Sequence, residues 1–129
     1  MTNGEILDQA VRLTGETSTA DSPDYSDRSK SLLALLYRTL APLDRDIRAA
    51  NDLPAQGNLP STVLPTGIFP LTDQLAPAVA YALASLLTID ENLSLSETMQ
   101  KHFADAIVDV RARIPMKSGS TRNVYPGIL

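Results

Sequence analysis

This chain has no cysteine, no tryptophan and a single histidine. Without thiols there are no disulfide staples, no thiolate metal sites and no cysteine nucleophile. His102 has no second His or Glu at metal spacing, since HFADA is not H-E-x-x-H. Aromatic residues make up 5% of the chain, too few for the base-stacking platforms of a single-strand binder. A strongly basic face is also missing. The net charge of −4 argues against non-specific nucleic-acid binding, which needs cations to displace counterions from phosphates. The densest apolar run, Leu75 to Leu87, is too short for a membrane span. The opening MTNGEILDQA has no basic flank ahead of an apolar stretch, so no signal peptide is expected. The expectation is a soluble, intracellular protein.

Catalytic patterns are absent as well. There is no G-x-S-x-G, the glycines form no phosphate cradle, and SGSTR lacks the context of a Walker lysine. Asp105 and Asp109 share a helical face with Lys101 and Arg113, which reads as an ion-paired surface rather than a carboxylate pair. Ser118 and Ser120 fall in a polar tail, a poor place to position a nucleophile. These absences agree on a structural or binding role, with no enzyme activity, cofactor or metal.

What is present fits one mainly α domain: 129 residues, 43% apolar, long enough to bury a core. Thr2 and Glu5 form a capping box ahead of Ile6, Leu7, Ala10, Val11 and Leu13, and Gly15 supplies a helix stop. Ser22-Pro23 marks a second start. Leu32, Leu33, Leu36, Leu40, Leu43 and Ile47 follow at helical spacing, and Pro42 is expected to kink or split that helix. Asp44, Arg45, Asp46 and Arg48 are read as its polar side. A third helix runs from about Thr72 or Asp73 to Thr88 and is apolar nearly all round, so it is either a central core helix or a subunit contact. Ala76, Ala80 and Ala84 form a flat stripe on it. A fourth helix is expected from a box at Ser94 and Glu97, with Met99, Phe103, Ala106, Ile107, Val110 and Ile114 inward and Pro115 as its stop.

Two segments break the pattern. Residues 51–71 carry Pro54, Pro60, Pro65 and Pro70, so the fold class is a small bundle of about four helices with a long Pro-rich extended loop. Val63, Leu64, Ile68 and Phe69 make that loop too apolar for a plain linker. It either wraps its own core or reaches a partner. The domain is expected over 1–114 and a flexible arm over 115–129. That arm ends in Val124, Tyr125, Ile128 and Leu129, apolar where free ends are usually polar. The candidate interface residues are therefore Val63, Leu64, Ile68, Phe69, Ala76, Ala80, Ala84, Val124, Tyr125, Ile128 and Leu129.

The order of parts, and the string FPLTDQLAPAVAYALASLL followed by SETMQKHFADAIVDVRARIP, resembles the head–tail connector (adaptor) proteins of tailed bacteriophages. The resemblance covers most of the chain in layout, and its motifs are short. It implies a virion structural subunit at the head–tail interface, assembled in the host cytoplasm as a homo-oligomeric ring, commonly twelve-fold. The ring would sit below the portal, meet the next tail component, and let DNA pass through its lumen without gripping it. It implies no catalytic residue and no membrane. The tail then reads as a docking arm that orders on assembly, or else as a segment folded back on its own bundle. The alternative is a small helical interaction or regulatory module without catalytic activity.

Overall fold

The computed structural model describes residues 1–15 and 23–114, with no side-chain detail for 23–27. Four α-helices carry the fold among these residues: α1 (Asn3–Leu13), α2 (Pro23–Ala50), α3 (Ala76–Thr88) and α4 (Leu93–Ala112). The expected start at Ser22 and the arm at 115–129 lie outside the described residues.

α1 is capped as its sequence demands. The Thr2 hydroxyl accepts from the Glu5 N–H at 3.3 Å and lies 3.4 Å from the Glu5 carboxylate. Gly15 follows the helix at φ +98°, the left-handed conformation that ends helices and favours glycine. α2 is one helix running through Pro42. Proline removes an N–H from the ladder, but Arg38 and Pro42 are both exposed, so water can reach the orphaned Arg38 carbonyl.

α3 is the centre of the molecule. It packs against α1, α2 and, most extensively, α4. Val79, Leu83, Ala84 and Leu87 are fully buried, alongside Ile6, Leu33, Tyr37 and Ile47 from α1 and α2. Its all-round apolar composition thus matches a core helix surrounded by its own chain. A single 3-10 turn, Asp73–Leu75, leads into it, and Pro77 sits in its first turn, where a missing donor costs least.

α4 starts earlier than its sequence suggests. Asn92, not Ser94, is the cap: its side chain accepts from the Leu95 N–H at 3.0 Å. Ser94 is already helical, and its carbonyl accepts from the Thr98 hydroxyl at 3.0 Å. α3 and α4 are joined by a polar clasp. The Ser96 hydroxyl donates to the Ser85 carbonyl at 2.8 Å, and the two hydroxyls lie 3.3 Å apart in the buried interface.

Candidate interaction surface

The Pro-rich connection between α2 and α3 forms no strand and no helix before the 3-10 turn. It is nevertheless fixed at both ends by buried polar groups. At the α2 end, Asp44 is fully buried. Its carboxylate accepts from Arg48 Nε at 2.8 Å, Gln56 Nε2 at 2.6 Å and the Thr72 N–H at 2.7 Å. Arg48 goes on to donate to the Pro54 and Pro70 carbonyls, at 3.0 and 3.1 Å. One ion pair on the last turns of α2 thereby holds the beginning and the end of the loop. Burial pushes the Asp44 carboxyl pKa up. The three hydrogen bonds and the Arg48 charge outweigh it, so the pKa lies below its ordinary value.

The second anchor is at α1. The buried Asn3 side chain donates from Nδ2 to the Leu64 carbonyl at 3.0 Å, and its Oδ1 accepts from the Tyr37 hydroxyl. Tyr37 is itself fully buried and meets Phe69 edge-on, with ring centroids 5.6 Å apart. Its burial raises the phenol pKa far above the ordinary value. The loop also satisfies the first turn of α1. The Asn3 and Gly4 N–H groups donate to the Gly67 and Pro65 carbonyls, both at 2.9 Å. The Phe69 N–H donates to the Met1 carbonyl at 2.9 Å, next to an antiparallel bridge between Thr2 and Ile68.

Within that frame Leu64-Pro65-Thr66-Gly67 makes a β-turn closed by Gly67 N–H to Leu64 O at 2.9 Å, with Pro and Gly at the positions such turns favour. A Cβ on Gly67 would stand 3.0 Å from Asn3 Nδ2, so glycine permits the close approach of loop and helix. Neighbouring residues on either side of the turn point opposite ways. Val63 and Phe69 are buried, whereas Leu64 is 62% and Ile68 80% exposed. The loop therefore both wraps its own core and presents two large apolar side chains to solvent.

Of the residues expected at an interface, the fold buries five within this chain. Val63, Phe69, Ala76, Ala80 and Ala84 are all buried by the chain's own helices and loop. The alanine stripe is not an open face, because small side chains there let neighbouring helices of the same chain approach closely. Leu64 and Ile68 remain open. Val124, Tyr125, Ile128 and Leu129 lie outside the described residues. His102 lies beside Tyr81, with ring centroids 5.2 Å apart and the planes tilted by 36°, as an exposed boundary side chain. Arg113 pairs with Asp109 at 2.8 Å on the exposed side of α4.

No family model, curated protein or solved structure matches this chain. Among the described residues no group of three His, Cys, Asp or Glu side chains is placed to hold a metal ion, and no helix is long and apolar enough to cross a membrane. The sequence reading missed Asn3 and Asp44 as anchors. Asn3 had no local signal. Asp44 had one: it stands four residues after Leu40 and three before Ile47, on the apolar face of α2.

Proposed function

We propose that the chain is a structural subunit of the head–tail connector type, forming a ring below a portal through which DNA passes. The feature that supports this reading is the braced pair Leu64 and Ile68. Two large aliphatic side chains are held in solvent by a loop whose backbone is tied to α1. Fully covering them stabilises by roughly 1.5–3 kcal/mol each. The occupant proposed is a second copy of the chain. A ring of identical subunits needs two different faces that meet head to tail. Ile89, Leu93 and Val108 offer exposed apolar groups on α4 and the turn before it. A net charge of −4 suits a channel that lets phosphates slide.

The test is light scattering behind size exclusion over a range of concentrations, with electron microscopy of the peak. The wild type is expected to form closed rings. L64D/I68D is expected to fall to monomer with unchanged helical circular dichroism, and removal of residues 118–129 to weaken assembly without melting the bundle. A wild type that stays monomeric at every concentration, with L64D/I68D indistinguishable from it, rules out a self-assembling ring.

A further inference from the structure

An open groove of about 780 Å³ runs along α2 where the first part of the Pro-rich loop crosses it. Arg38 and Arg45 line it, seven residues apart on one face of the helix, with Pro42 between them. Both are exposed, and among the described residues neither guanidinium has a hydrogen-bond or ion-pair partner. Arg48 lines the same groove, but its guanidinium is committed to Asp44 and two loop carbonyls. The loop contributes the exposed Leu53, the half-buried Leu59 and the exposed Asn58 to the lining, and the Asn58 side-chain amide also has no partner among the described residues. Neither Asp46 nor Asp52 lines the groove.

We propose that this groove binds a short acidic peptide segment of a partner protein, with Arg38 and Arg45 each taking one carboxylate. The two arginines are separated by roughly 10 Å along the axis, at 1.5 Å per residue. An extended or polyproline-type peptide covers about the same span in three residues, so carboxylates at i and i+3 reach both guanidinium forks. Asn58 brings a donor and an acceptor together, which suits a peptide backbone. A phosphate would use the donor alone. Leu53 and Leu59 supply an apolar wall that aliphatic residues of such a peptide can cover, and that a nucleic-acid backbone cannot. The overall charge of −4 further disfavours a long polyanion while leaving a local pair of arginines effective.

The groove shares no lining residue with Leu64 and Ile68, so it is tested separately from the ring. The full-length chain is titrated against a fluorescein-labelled Leu-Glu-Leu-Pro-Glu-Leu peptide, blocked at its C-terminus, and against the same peptide with Gln for Glu. Fluorescence anisotropy is the readout. The Glu peptide is expected to bind about tenfold or more tighter than the Gln peptide, and R38Q and R45Q to weaken it by about tenfold each. L64D/I68D is expected to bind as the wild type does. Circular dichroism shows that the arginine variants are folded. Equal affinity for the two peptides, no binding of either, or binding unchanged in R45Q overturns the assignment. Arginine-dependent displacement of the peptide by micromolar pyrophosphate or a short oligonucleotide also overturns it, in favour of a phosphate ligand.

Discussion

Asp44 is the residue on which the loop depends most. Three donors from three parts of the chain converge on a fully buried carboxylate. Asp44→Ala removes the counter-charge of the partly buried Arg48, the shorter of the two Gln56 amide bonds and the acceptor of the Thr72 N–H, and is expected to destabilise by about 3–5 kcal/mol, read from urea denaturation. Asp44→Asn keeps the shape and part of the bonding, and is expected to cost about 1.5–3 kcal/mol. The pH dependence has a definite sign. The folded pKa lies below the ordinary value, so the unfolded chain takes up the proton first as pH falls. The advantage of wild type over D44N is expected to be constant above about pH 5, and to shrink once pH falls below the unfolded value of about 3.9 and on through the folded pKa. An advantage that grows on acidification contradicts the assignment. Part of this was legible in the sequence, since the spacing puts Asp44 on the Leu40 and Ile47 face. Its partners were not, because Gln56 and Thr72 are 12 and 28 residues away. Arg38 and Arg45 were legible in the same partial way. Their helical face follows from the spacing of seven, but the loop that turns this face into a groove is a tertiary fact.

At the scale of elements, periodicity and stop signals located the helices well, and local chemistry located their ends less well. The α1 box and the Gly15 stop follow from short-range bonds, so they are readable from a few residues. The sequence pointed to Ser94 as the start of α4, whereas the observed cap is Asn92, two residues earlier. Both are good capping residues. The turn after α3 decides between them, because the Asn92 N–H is drawn to the Thr88 carbonyl at 2.8 Å. That bond fixes Asn92 outside the helix and puts Ser94 in its first turn. N92A is accordingly expected to lose about 0.5–2 kcal/mol, whereas S94A should stay within about 0.5 kcal/mol of wild type by urea denaturation. The reverse order would move the helix start to Ser94. Pro42 shows the opposite limit of local reading. Intrinsic preference points to a break, yet α2 continues, because Leu40, Leu43 and Ile47 bury their side chains on either side of it.

For the whole molecule, the helical bundle was legible from composition and period, and the roles of its faces were not. A helix apolar all round must be covered, but the pattern does not say whether by its own chain or another. Here α3 is covered by α1, α2 and α4 together. α4 is placed differently. It leans chiefly on α3, and only Ser96, Met99 and Val110 on it are buried, while Phe103, Ala106 and Ile107, and Ile114 just past its end, are half-covered. Opening α4 uncovers one face of α3 but leaves the packing of α3 against α1 and α2 in place, so the α4 amides are expected to exchange through a local event rather than through global unfolding. In hydrogen exchange on the dilute protein, the α3 amides of Val79 to Leu87 are expected to be the slowest, and those of Phe103 to Val110 faster by at least about tenfold. Equal protection in the two helices would mean that they unfold as one unit, clasped by Ser85 and Ser96. Repeating the measurement at high concentration connects this to assembly. If the exposed side of α4 receives Leu64 and Ile68 of a neighbour, its exchange slows as rings form, and it does not slow in L64D/I68D. Concentration-independent exchange in α4 alongside visible rings would assign the receiving face to another part of the subunit.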